Sequence, residues 1–280
     1  MTAGISTRPE SLGDGAKRQG EKLAGARPLG WLARFGLVAR GLVYLIIGVL
    51  ALKLALGDGG AATDQQGALK TISNQSFGEL LLILVAIGLA GYSLWRLTRA
   101  AVGHGAEVRD SGLDRIAALE SGIAYALLSV TAIKILTESG ASSGTAKETT
   151  GGILEWSGGT VLVGIAGAVL IGVAAYQAYE GLSRKFLEQA KTGEMNDGVR
   201  KGYTALGVFG HVARGVIFAL IGYGLIKAAI DYNPKEAVGL DGALRELAHA
   251  SYGPAVLGFV AVGLSGFGVY SIAGSRYRKV

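Results

Sequence analysis

Half of the 280 residues are hydrophobic, only 17% are charged and the mean hydropathy is +0.41. Soluble domains carry roughly 25% charged residues, so the composition excludes an ordinary water-soluble domain. Disulfides, thiolate metal sites and cysteine nucleophiles are excluded by the absence of cysteine. The net charge of +6 is no argument for nucleic acid, because in a membrane protein the location of charge matters more than its sum.

Residues 1–30 mix Gly, Ser, Arg, Lys and Glu without an apolar run, the composition of a disordered cytoplasmic tail. A signal peptide would place a short apolar core close behind its basic region. Here the first apolar block starts only near residue 36, which predicts an uncleaved helix. Six blocks then follow, near 36–56, 79–98, 116–137, 160–179, 206–230 and 254–274. About 20 apolar residues cross a bilayer core. The expected fold is an all-α integral membrane bundle of six transmembrane helices, with the lipid bilayer as its first partner.

The blocks repeat. Arg40-Gly41-Leu42-Val43-Tyr44 returns as Arg214-Gly215-Val216-Ile217-Phe218 and, more weakly, as Ser121-Gly122-Ile123-Ala124-Tyr125. A lysine follows each copy at the same register, Lys53, Lys134 and Lys227. Such internal repetition defines the architecture. The predicted units are 31–100, 110–182 and 203–275, each with two transmembrane helices. In the second helices, Gly88, Gly91, Tyr92 and Trp95 are aligned with Gly172, Ala175, Tyr176 and Tyr179, and with Gly263, Gly266, Phe267 and Tyr270. Between the helices of the outer units, Gly67-Ala68-Leu69-Lys70 resembles Gly242-Ala243-Leu244-Arg245, and Leu240, Leu244 and Leu247 have the spacing of an amphipathic helix. The middle unit has a Gly/Ser/Thr-rich stretch, 139–152, expected to be flexible. Loop 181–204 alternates acids with bases and reads as solvated.

Lys and Arg concentrate in the tail, the 2–3 and 4–5 loops and the C-terminus, so the positive-inside rule predicts that both termini are cytoplasmic. All three units then point the same way. Parallel repeats are related by an axis along the membrane normal, which predicts a pseudo-threefold bundle.

Gly41 with Gly48, Gly122 with Ser129, and Gly215 with Gly222 are seven apart and share a helix face. Small residues on such faces let helices approach closely in lipid, the reading adopted also for Gly88, Gly91, Gly263 and Gly266. Arg40 and Arg214 lie about one turn inside the boundary, where intramembrane charge points to function or to pairing. Glu120 and Glu180 sit at matching depth in the middle unit. The four are expected to form an inter-unit ion-pair cluster that fixes the order of the units. His104, His211 and His249 do not converge in the sequence pattern, and no metal or other cofactor is expected.

With these residues the chain resembles a bacterial membrane family known as domain of unknown function 1206. Its members carry three two-helix units with Arg-Gly near the start of the first helix. The resemblance covers about 31–275 and implies the bacterial cytoplasmic (inner) membrane, without implying an activity. No P-loop, nucleophile elbow or zincin motif occurs. The function expected is non-enzymatic: a scaffold or interaction protein that binds lipid or another membrane protein. A channel or small-solute transporter along the pseudo-threefold axis is the alternative.

Overall fold

The computed structural model describes residues 27–102, 112–137 and 146–279. The tail up to residue 26, His104 and residues 138–145 lie outside that set. Each unit is long helix, short helix, long helix. The first comprises α1 (Arg27–Leu56), α2 (Gln65–Ser73) and α3 (Gly78–Val102). The second comprises α4 (Gly112–Thr137), α5 (Ala146–Leu154) and α6 (Gly159–Leu182). The third comprises α7 (Asp197–Ile230), α8 (Leu240–His249) and α9 (Gly253–Tyr277). All six long helices are long and apolar enough to cross a membrane, and the fold is an all-α integral membrane bundle of three parallel repeats. The first helix starts at Arg27, so the end of the expected tail is helical. The second half of the stretch expected to be flexible is helix α5.

The same corner starts the second long helix of every unit. Phe77, Gly158 and Tyr252 have left-handed backbones, with φ of 62°, 83° and 62°. Each precedes a glycine, Gly78, Gly159 or Gly253. A Cβ there would lie 2.1, 1.8 or 2.5 Å from the carbonyl oxygen of Ser73, Ile153 or Ala248. The chain folds back so tightly against the end of the short helix that only glycine fits. The short helices bury one face, Ala68, Leu69 and Ile72 in α2 and Leu240, Ala243, Leu244 and Leu247 in α8.

These corners set the register between units, and they correct the alignment of the second helices. The offsets are 81 and 175 residues, so Gly91, Gly172 and Gly266 are equivalent, as are Trp95, Tyr176 and Tyr270. The residue pattern alone sets Gly172 against Gly88, three residues out. Packing agrees with the corrected register. Ser93 Oγ donates to Gly122 O at 2.6 Å, while a Cβ on Gly268 would lie 2.8 Å from Gly41 O.

The most extensive pairings join the second helix of one unit to the first helix of the next: α3 to α4, α6 to α7, and α9 to α1. The repeated glycine faces lie there. A Cβ on Gly41 or Gly48 would come within 2.6 Å of Gly268 O or 2.8 Å of Ala261 O. Gly215 and Gly222 meet Ala174 O and Gly167 O at 3.1 and 2.8 Å in the same sense. In the middle copy Ser129 Oγ donates to Ala86 O at 3.0 Å. Each short helix also packs on the first helix of the next unit.

Within a unit the two long helices close on small residues. In the first, a Cβ on Gly36 would sit 2.3 Å from Tyr92 Cβ, and one on Gly88 would sit 2.8 Å from Ala39 Cβ. In the third, a Cβ on Gly210 would sit 2.7 Å from Phe267 Cβ, and one on Gly263 would sit 2.4 Å from Ala213 Cβ. The equivalent residues of the middle unit are Ala117, Val173, Glu120 and Val169. A glutamate and a valine cannot approach as Ala39 and Gly88 do, so α4 and α6 do not pack along their length. A Cβ on Gly172 would meet nothing within 4 Å. The ring α1–α3–α4–α6–α7–α9 is therefore open between α4 and α6, its least buried long helices at 33% and 22%, against 56% for α1 and α9.

The connection after α6 is not a solvated loop. It runs through two 3₁₀ turns, Lys185–Gln189 and Thr192–Glu194, beneath the end of the bundle that carries the C-terminus. Phe186, Ala190, Met195 and Tyr203 are buried. Lys191 N and Lys279 N donate to Tyr277 O (2.7 Å) and Gln189 O (2.9 Å), tying the connection to the chain end. The alternating charges mask apolar anchors that turn inward.

Candidate functional site

The polar positions of the repeat converge at the centre of the open ring. On each first helix stands Arg40, Ser121 or Arg214, and on each second helix Arg96, Gln177 or Ser271. They pair across the inter-unit interfaces as three equivalent rungs. Arg40 donates to Ser271 Oγ through Nη2 (2.9 Å) and Nε (3.2 Å). Arg96 Nη2 donates to Ser121 Oγ at 3.1 Å and to Ala117 O at 2.9 Å. The Gln177 amide orientation that satisfies both neighbours accepts from Arg214 (2.8 and 3.2 Å) and donates to His211 Nδ1 (2.8 Å). Arginine–serine rungs in two units thus become an arginine–glutamine–histidine rung in the third.

Aromatic rings surround the two central guanidiniums. Arg40 lies 4.9 Å from the centres of both the Tyr92 and Phe267 rings. Arg214 lies 4.5 Å from Phe267, 5.1 Å from Phe218 and 5.5 Å from Tyr44. Cation–π attraction is worth about 2 kcal/mol or more when desolvated. That helps to hold two like charges in a region where charge is costly.

The expected ion-pair cluster is not formed. Among the described residues, neither Arg40 nor Arg214 comes within 4.0 Å of a Glu120 or Glu180 oxygen, and Glu180 approaches His211 Nδ1 at 4.0 Å. The four instead line one cavity of about 260 Å³, with Arg96, His211, Tyr176, Gln177 and Arg278 also in its wall. Gly172 and Val169 stand at its edge, where α4 and α6 part. Its floor is the basic end of the bundle. Tyr176 OH donates to Asp114 Oδ1 at 2.7 Å, Lys185 Nζ lies 3.3 Å from the same carboxylate, and Arg278 donates to Gln189. Phe186 stacks on His211 with ring centres 5.3 Å apart. Among the described residues, buried donor positions remain without a partner at Arg96 Nε, Arg214 Nε, Arg278 Nε and His211 Nε2.

The remaining sequence candidates serve packing or lie apart. Gly41, Gly48, Gly122, Gly215 and Gly222 face the neighbouring unit, and Gly88, Gly91, Gly263 and Gly266 face their own. Lys227 pairs with Glu236 at 2.8 Å, and Lys53 and Lys134 are exposed. His249 is exposed on α8, and no metal-holding group of three His, Cys, Asp or Glu occurs among the described residues. Gln177, Ser271, Tyr176 and Asp114 were missed. The corrected register was the signal that would have found Gln177 and Ser271, since it puts a polar residue at one second-helix position in all three units.

Three parallel hairpin units joined in a pseudo-threefold ring define the class: a repeat-built, all-α membrane protein of six long helices. The family profile described as Domain of Unknown Function (DUF1206) matches three times, at residues 35–103, 116–184 and 209–278, and the chain belongs to that family. A relative from Bacillus subtilis (strain 168), described as "Uncharacterized protein YxxB", is 36% identical over 258 residues, covering 89% of this chain and 92% of its own. No solved structure matches.

Proposed function

We propose that this protein binds an anionic amphiphile, a membrane lipid, seating the headgroup against Arg40, Arg96, Arg214 and Arg278 in the cavity that Asp114, Glu120 and Glu180 also line, and passing the acyl chains out between α4 and α6. One observation carries the reading: among the described helices, the gap between α4 and α6 opens onto the charged cavity. In lipid no hydrophobic force drives apolar helices together, so acyl chains replace packing at the gap at little cost. Arg40 and Arg214 carry fixed charge and have no carboxylate within salt-bridge distance among the described residues. A phosphate accepts charge-assisted bonds from such guanidiniums.

We infer binding rather than catalysis because Ser121 and Ser271 accept from arginines and, among the described residues, are not held by a base. Buried Tyr44, Tyr125 and Phe267 crowd the bundle interior, which favours binding over a solute route along the axis. The positive-inside rule supports a cytoplasmic position for the end carrying the cavity, in a bacterial inner membrane.

Native mass spectrometry of the protein from nanodiscs of phosphatidylglycerol and phosphatidylcholine tests this. Phosphatidylglycerol is expected to stay bound, and Arg214→Gln to weaken it about tenfold, or about 1.4 kcal/mol. Retention that does not distinguish the two lipids, or is unchanged in Gly172→Trp, would sink the proposal.

A further inference from the structure

The polar cavity does not end at mid-depth. A second cavity of about 300 Å³ shares Glu120, Ser121 and Arg214 with the first and reaches Asp64, Gln65 and Gln66 beside α2. A third, of about 680 Å³, shares those three residues and continues to Asp241 and Arg245 of α8, at the end opposite the first cavity's floor. Successive cavities with common walls therefore run from one end of the bundle toward the other. Leu127 and Thr131 of α4 line one side of the route, and Leu162 and Ala166 of α6 line the other.

The geometry points to a further activity: the groove lets phospholipid headgroups cross between leaflets while their acyl chains stay in the bilayer beside the α4–α6 gap. This inference rests on the binding reading and extends it. A headgroup crossing bare hydrocarbon leaves its polar groups unsatisfied, at several kcal/mol each. Polar side chains in each successive cavity, Arg214 and Glu120, then Asp64, Gln65 and Gln66, then Asp241 and Arg245, replace those partners, and a side open to lipid removes any need to enclose the tails. Arg214, in both the first and second cavities, is placed to pass a phosphate from one to the next. Gln66, shared by the second and third, stands at the next junction. Exchange down a concentration difference needs no coupled energy source.

The test uses the full chain in sealed vesicles of phosphatidylcholine and phosphatidylglycerol carrying tail-labelled NBD-phosphatidylglycerol, with dithionite added outside. Label in the inner leaflet is expected to stay protected in protein-free vesicles and to be lost in vesicles with protein. Gln66→Trp is expected to restore protection while phosphatidylglycerol is still retained in native mass spectrometry. Encapsulated NBD-glucose reports free anions. If it too is bleached, dithionite itself passes, and the groove is a solute path. Protection equal to that of empty vesicles, with lipid still bound, overturns exchange and leaves the binding site standing. If lipid is not bound either, both readings fall. Exchange through Gln66→Trp at the wild-type rate would place the path elsewhere and overturn the groove.

Discussion

The first and third units differ from the second in a handful of residues, and those residues decide whether a hairpin closes. Gly36, Ala39 and Gly88 in the first unit, and Gly210, Ala213 and Gly263 in the third, pack so closely that a Cβ added at any of the four glycines would fall 2.3 to 2.8 Å from a neighbouring side chain. Ala117, Glu120 and Val169 in the second occupy that space. The interfaces between units are retained all round, so the ring loses one contact and keeps its order. Repetition builds the frame, and its local failure makes the opening.

The largest expected contrast comes from placing the same side chain at equivalent glycines. Gly91→Val drives a branched side chain into Leu32, whose Cβ would lie 2.9 Å from the added Cβ, and overpacking of this kind costs about 1–3 kcal/mol. Gly172→Val meets open space and should leave the detergent melting temperature nearly unchanged. Equal losses at the two sites would mean that α4 and α6 are packed after all.

Next in size is the attempt to close the gap. Glu120→Ala with Val169→Gly gives the second unit the small pair used by the others. Lipid retention should fall to background, while the melting temperature rises by the equivalent of about 1 kcal/mol, the scale of single packing changes. A double variant that keeps its lipid would show that these residues do not set the opening.

Much of this comparison is written in the sequence, though not all of it was readable there. The six long helices follow from uninterrupted apolar blocks, and the inter-unit faces from Gly41, Gly122 and Gly215. The second helices were misaligned by three because a three-residue shift on a helix keeps nearly the same face. Gly172, Ala175 and Tyr176 therefore imitate Gly88, Gly91 and Tyr92. A three-residue shift sets Glu180 opposite Arg96 and hides Gln177, the residue that meets Arg214. The ion-pair expectation failed for a related reason. Residues at equal depth need not face one another, and hydroxyl and amide partners were overlooked beside the formal charges. The buried connection around Phe186, the plug beneath the C-terminal end, is masked by its charged neighbours.

The smallest effect concerns the place where α4 and α6 do meet. Tyr176 OH bonds Asp114, which Lys185 of the plug also holds. Removing the hydroxyl in Tyr176→Phe should cost roughly 1 kcal/mol, and less if water replaces it. Its effect on the opening is the more telling readout. Leu127 and Leu162 are exposed on α4 and α6, and the chain has no cysteine, so Leu127→Cys and Leu162→Cys carry a spin-label pair without background. In nanodiscs the Tyr176→Phe distance distribution should broaden toward longer separations, because the helices then lack their bond at the basic end. An unchanged distribution would mean that Glu120 and Val169 hold the helices apart on their own and that Tyr176 merely closes the cavity floor.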